Sequence, residues 1–154
     1  MRFKTRIAVL ITALAAFHTV AFASQKTDPA RVKTQSKPDQ LVQVDFITPE
    51  ELKAKIAKNE TLTIVDLRAQ SSYEQSDKKI KGSLFTRVRK VASRLRDVPH
   101  DREIITYCAC PADDAAILGA RELLTNGFKR VRVLKGGWNA WLQTGGQVEP
   151  KPRA

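Results

Sequence analysis

Short apolar segments rich in β-branched residues alternate with segments of helical periodicity through most of this chain, and this alternation limits the fold more than any other feature. The first strand-like segment alternates Val42, Val44 and Phe46, as a half-buried strand does, whereas the others are almost continuously apolar or β-branched. Strand–helix alternation of this kind predicts an α/β fold with a mainly parallel sheet. The four segments with strand composition are residues 41–46, 62–67, 104–107 and 131–134.

Helix signals lie between these segments. Thr48 and Glu51 form a capping-box pattern with Pro49 at the first helical position, which predicts a helix ending near Asn59. Further helices are predicted over 88–95, with a basic outer face, and over 115–125, where Asn126 and Gly127 give the stop signal. Gly136 and Gly137 then turn into a short segment whose Trp138 and Trp141 are predicted to pack in the core. The residues expected to face inward on the three helices are Leu52, Ile56, Val88, Val91, Ala92, Leu95, Ile117, Ala120, Leu123 and Leu124.

Residues 1–23 have the three-part layout of a secretory signal. A basic start is followed by an apolar run, and Ala21-Phe22-Ala23 predicts cleavage after Ala23, which would place the mature protein in the periplasm or outside the cell. The alternative is an uncleaved anchor, for which the 17 residues from Ile7 to Ala23 lie at the lower limit of length. Residues 24–40 are polar and are predicted to form a flexible leader, the domain is predicted over 41–147, and 148–154 is predicted to be a disordered tail.

Charge and cysteine content exclude several classes of function. The chain carries 27 Lys and Arg against 16 Asp and Glu, and losing three basic residues with the signal peptide leaves about +8. These charges are mostly scattered and have no interleaved aromatic platform, so a solvated basic face is predicted rather than nucleic-acid binding. Cys108 and Cys110 are too close together to staple a fold, and with His18 and His100 they supply no zinc-ligand set. The sequence predicts no metal, cofactor or membrane span in the mature chain, and it does not specify an oligomeric state.

The segment from Cys108 to Asp114 is the candidate active-site loop. Cys108 comes directly after a buried strand and shortly before a predicted helix, a position where the helix dipole and free backbone N–H groups favour a thiolate nucleophile. A lowered thiol pKa is therefore expected for Cys108. The alternative is that the two cysteines simply fill space at a strand end. The residues of the loop are Cys108, Ala109, Cys110, Pro111, Ala112, Asp113 and Asp114.

Four segments together resemble the rhodanese family in order and spacing. They are Ile64 to Arg68, the Cys108 loop, Gly127-Phe128, and the GGWNAW motif that begins 28 residues after Cys108. The Cys-x-Cys-Pro loop is similar to that of a rhodanese subgroup. The resemblance implies a five-stranded parallel sheet with helices on both faces. It also implies a sulfurtransferase in which Cys108 accepts a sulfane sulfur as a persulfide from a small donor and passes it to a thiol acceptor.

Two departures from the family pattern bear on the donor. Asp113 and Asp114 stand near the places where relatives carry an arginine and a serine, so thiosulfate is expected to bind poorly at this loop. Both carboxylates are alternatively predicted to cap the following helix. Asp66 and Arg68 match the family's Asp-x-Arg and are predicted to form a structural ion pair that braces the loop. Arg87 and Arg89 are candidates for positive potential near the mouth.

Three functions remain open from the sequence. The first is sulfur transfer through a Cys108 persulfide. The second is thiol–disulfide exchange by the Cys108–Cys110 pair, because a Cys-x-Cys ring would be strained and labile. In a related variant of the first, Cys110 attacks the persulfide, releases sulfide and leaves a disulfide. The third is a non-catalytic rhodanese-like binding module.

Overall fold

The structure is a computed structural model that describes residues 42–152. The predicted signal peptide at 1–23 and flexible leader at 24–40 lie outside the described residues, as do Leu41 and the last two positions. None of the helices over residues 42–152 is long and apolar enough to cross a membrane.

Five parallel strands form the main sheet, which confirms the predicted fold class. The strands of this sheet are β1 (Asp45–Ile47), β2 (Leu62–Asp66), β4 (Leu84–Phe85), β5 (Glu103–Tyr107) and β6 (Arg130–Leu134). Their spatial order is β1-β6-β5-β2-β4, so β5 is the central strand. Every neighbouring pair is parallel, and the register of the two inner strands sets Asp66 of β2 opposite Tyr107 of β5.

Helices cover both faces of the sheet. Neighbouring residues of a strand face opposite sides, so Val65 and Ile104 pack in one apolar cluster while Ile64 and Ile105 pack in the other. The helices are α1 (Pro49–Ala57), α2 (Gln70–Glu74), α3 (Val91–Arg94), α4 (Asp114–Thr125) and α5 (Gly137–Gln143), with a 3-10 turn over Val88–Lys90 before α3. The first cluster includes residues of α3 and α4, and the second includes residues of α1 and α5.

The helix signals read from the sequence are largely present. The capping box of α1 forms in both directions: the Glu51 N–H donates to Thr48 Oγ1, and the Thr48 N–H donates to Glu51 Oε2. The predicted helix over 88–95 is split into a 3-10 turn and the short α3, although Val91 and Leu95 are buried as expected. Sequence periodicity therefore located the core-facing residues better than it located the helix boundaries.

The first strand differs from its prediction. It covers Asp45–Ile47 rather than 41–46, and the side chain that it buries is Ile47, whereas Phe46 is 47% exposed. The reason is the pairing with β6, in which Ile47 lies opposite Leu134. A shift of one residue in register exchanges the two faces of a strand, so the apolar alternation over 42–46 indicated the wrong face.

The C-terminal segment also differs from its prediction. Residues 148–150, expected to begin a disordered tail, form β7 (Val148–Pro150), which pairs antiparallel with β3 (Lys78–Ile80). An ion pair between the buried Lys79 and Glu149, with a 2.5 Å N–O distance, stabilises the pairing. Backbone pairing to a distant, equally short strand orders a segment whose own composition gives no strand signal.

Glu103 anchors the other end of the central strand. Its buried carboxylate accepts hydrogen bonds from Arg132 and Arg130 of β6 and forms an ion pair with Lys55 of α1. Burial alone would raise the pKa of Glu103, but the hydrogen bonds from Arg132 and Lys55 outweigh it and lower that pKa below its ordinary value of 4.5. The ionised form of Glu103 therefore ties β5, β6 and α1 together.

Replacing Glu103 by Gln should destabilise the fold. We expect a loss of about 1.5–3 kcal/mol in the free energy of unfolding at pH 7, because charged hydrogen bonds are replaced by weaker ones beside three cations. A group with a lowered folded pKa stabilises above its ordinary pKa and loses this contribution as pH falls through the folded value. Urea unfolding of E103Q should therefore approach the wild type in acid. Asp101→Asn, at an exposed carboxylate, is the control, and an equal loss in both variants would contradict the assignment.

Candidate active site

Cys108 lies at the carboxyl end of the central strand, where ligand sites of parallel α/β sheets are found. The Leu67 N–H donates to the Tyr107 carbonyl at 2.8 Å, so β2 and β5 stay paired up to the residue before the loop. Cys108 itself is 1% exposed and belongs to the apolar cluster that also contains Val65 and Leu67. Cys110 is only half-buried. The two thiol-bearing residues therefore differ sharply in their access to solvent.

Cys108 and Cys110 are joined by a disulfide bond. The Cys110 N–H donates to Cys108 Sγ at 3.4 Å, and the Ala115 N–H, in the first turn of α4, donates to Cys110 Sγ at 3.5 Å. From the sequence, the amides at the start of the helix are expected to contact Cys108. In the structure, the α4 amide of Ala115 contacts Cys110 instead. The reason is that α4 starts only at Asp114, and Cys110 lies between Cys108 and that start.

Asp113 does not take the helix-capping role predicted for it. It is buried and adopts a left-handed backbone conformation with φ of 56°, and its side chain makes no cap to α4. Its Oδ2 instead accepts a hydrogen bond from the Gly136 N–H at 2.9 Å. The Oδ1 atom is buried and has no hydrogen-bond partner among the described residues. Asp113 thus connects the cysteine loop to the turn between β6 and α5, while Asp114 is exposed.

The second contact of the loop with that turn goes through the backbone. The Trp138 N–H donates to the Cys108 carbonyl at 2.8 Å, and Gly137 lies so close that an added Cβ would sit 2.2 Å from the same carbonyl oxygen. Gly136 and Gly137 both have positive φ, which glycine adopts without steric cost. The two glycines of the GGWNAW motif therefore allow the chain after β6 to contact Cys108 directly.

Asp66 and Arg68 form the predicted ion pair, and both side chains are completely buried. The Arg68 guanidinium donates to both Asp66 carboxylate oxygens at 2.7–3.0 Å and lies 4.4 Å from the ring centre of Trp138. Tyr107 donates to Asp66 Oδ2 at 2.6 Å. Burial and the Asp66 carboxylate raise the pKa of Tyr107, so its hydroxyl keeps its proton. This network fixes the residue that precedes Cys108.

The predicted site residues lie together in the loop between β5 and the start of α4. Cys108, Cys110 and Asp113 lie in one loop, with Ala109 half-buried and Pro111 and Ala112 exposed at its tip. Tyr107 and Trp138 support the loop, a role that sequence reasoning did not assign, although both belong to segments that it singled out. Arg87 and Arg89 are exposed on the segment that follows β4. No group of three potential metal ligands occurs over residues 42–152.

Comparison with known proteins gives concordant results. The sequence matches the family model described as a rhodanese-like domain over residues 48–144. A sulfurtransferase of Allochromatium vinosum is 28% identical over 102 residues, which are 66% of this chain and 92% of that protein. The rhodanese-like domain of an Anabaena protein has a solution structure with 28% identity and a TM-score of 0.61, covering 71% of this chain and 81% of that one. A Bacillus halodurans protein of known structure is also 28% identical, with a TM-score of 0.61, over 69% of this chain and 77% of its own.

Replacing Gly137 by Ala should disturb both stability and the cysteine loop. Positive φ costs an L-residue about 1–2 kcal/mol, and the contact with the Cys108 carbonyl should add about 1–3 kcal/mol as overpacking. Gly145→Ala is the matched control, because Gly145 has φ of 68° but nothing within 4 Å of an added Cβ. We expect G137A to lose more unfolding free energy than G145A in urea titrations. It should also expose the cysteines to faster alkylation after reduction. Equal losses would argue against close packing at Cys108.

Proposed function

The chain belongs to the rhodanese-like domain family, and on this basis we propose that it is a sulfurtransferase that carries sulfane sulfur as a persulfide on Cys108. One observation supports the choice of residue above all others. Cys108 directly follows the central strand, the Asp66–Tyr107 hydrogen bond fixes the residue before it, and the Trp138 N–H donates to its carbonyl. A nucleophile that must meet a donor and then an acceptor in the same geometry benefits from such positioning.

The proposed reaction starts from the dithiol form, because neither sulfur of the disulfide form is a thiolate that could attack a donor. The Cys108 thiolate attacks the sulfane sulfur of the donor, the sulfur–sulfur bond of the donor breaks, and the donor leaves as a thiolate. An acceptor thiolate then attacks the outer sulfur of the Cys108 persulfide and regenerates the Cys108 thiolate. Each step exchanges one sulfur–sulfur bond for another.

Charge at the loop favours a persulfide or polysulfide donor over thiosulfate. No basic residue occurs between Cys108 and Asp114, whereas Asp113 lies beside the loop backbone. A charge-assisted hydrogen bond is worth about 1.5–3 kcal/mol. The lack of a basic side chain in the loop should therefore weaken binding of a doubly charged donor about tenfold or more. The positive net charge of the chain is dispersed and screened within about 10 Å at 0.1 M salt, and is therefore too weak to compensate.

The Cys108–Cys110 bond supports a second candidate, thiol–disulfide exchange. Such an activity needs both cysteines, since the pair must open and close. Sulfur transfer needs Cys108, and a non-catalytic binding module needs neither residue. Substitution of each cysteine separately therefore distinguishes the three functions.

The sulfur-loading prediction is tested by whole-protein mass. After reduction and incubation with glutathione persulfide, the wild type and Cys110→Ser should gain one sulfur atom, and Cys108→Ser should gain none. Thiosulfate should load the wild type at least about tenfold more slowly. Loading of Cys108→Ser would refute the nucleophile, and equal loading by thiosulfate would refute the donor preference. Unchanged circular dichroism in both variants is the control for folding.

We also propose that the protein is exported and acts in the periplasm or outside the cell. The support is the basic start, the apolar run and the small residues at Ala21 and Ala23. In cells, the mature protein should begin at or near Ser24. Ala23→Leu should abolish cleavage, because signal peptidase requires a small residue at this position. Ala16→Leu, within the apolar run, should leave cleavage unchanged. N-terminal sequencing of both secreted and membrane fractions tests this, and wild-type protein with an intact Met1 in the membrane would refute cleavage.

A further inference from the structure

The two sulfurs of the disulfide are not equivalent toward a nucleophile from solvent. Cys108 is 1% exposed and packs among apolar side chains such as Leu67 and Ile104. Cys110 is half-buried and is followed by the exposed Pro111 and Ala112. A disulfide is attacked along the axis of its sulfur–sulfur bond, opposite the sulfur that leaves. In the disulfide form Cys110 is therefore the more accessible of the two cysteines, and attack on Cys110 makes Cys108 the leaving group.

Each sulfur also has its own hydrogen-bond donor. The Cys110 N–H contacts Cys108 Sγ at 3.4 Å, and the Ala115 N–H at the start of α4 contacts Cys110 Sγ at 3.5 Å. A backbone N–H stabilises a thiolate, and the N-terminal turn of a twelve-residue helix adds its dipole. Negative charge can therefore be held on either sulfur after the bond opens.

From these observations we propose that the disulfide form accepts hydrosulfide, and that Cys110 is the residue through which this sulfur enters. The HS⁻ sulfur attacks Cys110 Sγ, the bond between Cys110 and Cys108 breaks, and its electron pair leaves with Cys108 as a thiolate. The product is a Cys110 persulfide, so the sulfide sulfur has been oxidised to the sulfane level while the disulfide has been reduced. The inference rests on the proposed function, because the sulfur must then reach the carrier residue.

The second step moves the sulfur to Cys108. The new Cys108 thiolate attacks the outer sulfur of the Cys110 persulfide, which forms a Cys108 persulfide and releases Cys110 as a thiolate beside the Ala115 N–H. The proton of the outer sulfur stays on it throughout. The Cα atoms of the two cysteines are 5.7 Å apart, so the exchange takes place within one loop.

The two redox states then take sulfur from different donors. The dithiol accepts sulfane sulfur from a persulfide, whereas the disulfide accepts fully reduced sulfur and is consumed in doing so. Hydrosulfide has one heavy atom and a single charge. It is therefore repelled less by Asp113 than the doubly charged thiosulfate would be.

The experiment uses the oxidised full-length protein, freshly prepared sodium sulfide without oxygen, and rapid quenching with N-ethylmaleimide. We expect the oxidised protein to gain one sulfur relative to the dithiol, and fragment masses at the earliest quench to locate it on Cys110. The rate should exceed that of glutathione disulfide about tenfold, the effect of one charge-assisted hydrogen bond on the leaving thiolate. No uptake, a rate no higher than that of glutathione disulfide, or sulfur on Cys108 first would overturn the proposal.

Three controls separate this inference from the proposed function. The reduced wild type should not gain sulfur from sulfide, since neither reactant is then oxidised. Cys108→Ser and Cys110→Ser cannot form the disulfide and should also gain none. The reduced wild type with glutathione persulfide reports on the proposed function alone. If it loads while the oxidised protein ignores sulfide, only the further inference fails. If the oxidised protein takes up sulfide but the reduced protein ignores the persulfide, it is the proposed function that fails.

Discussion

The rest of the site depends on the hydrogen bonds and the ion pair of the buried Asp66 carboxylate. It binds the Arg68 guanidinium and accepts a hydrogen bond from the Tyr107 hydroxyl, and so joins the carboxyl ends of β2 and β5. Arg68 in turn lies over Trp138, whose backbone N–H holds the Cys108 carbonyl. A fully buried ion pair contributes little net stability, since desolvation offsets most of the attraction. Its effect here is positional, because three segments distant in sequence share one set of directional contacts.

The elements that could be predicted from the sequence are those marked by a regular pattern of apolar or capping residues. The apolar runs of β2, β5 and β6 and the capping box of α1 are local signals, and all four elements are present. No sequence pattern predicted β3, β4, α2 or β7, which are two to five residues long and mostly exposed or polar. Long-range pairing orders such segments, and a single sequence holds no record of which segment will supply the partner.

The candidate site shows the same division between local and distant information. Cys108 and Cys110 were identifiable because a strand signal ends at one and a helix signal begins shortly after the other. The role of Asp113 was not, since its left-handed backbone turns the carboxylate from α4 toward Gly136, which is 23 residues away. A carboxylate at a helix start normally caps that helix. Only the proximity of the β6–α5 turn reveals that this one serves the tertiary structure instead.

The β3–β7 pairing has a consequence for where the functional unit ends. The family match stops at residue 144, before β7 begins. A chain cut there would leave the buried Lys79 ammonium without Glu149 and would turn β3 into an unpaired edge. It would also remove Lys151 from the face of the Tyr73 ring. The guanidinium of Arg68 lies 5.1 Å from the centre of the same ring, so Tyr73 links this segment to the site. The family match is thus shorter than the folded unit, and residues 148–151 contribute to the scaffold of the cysteine loop.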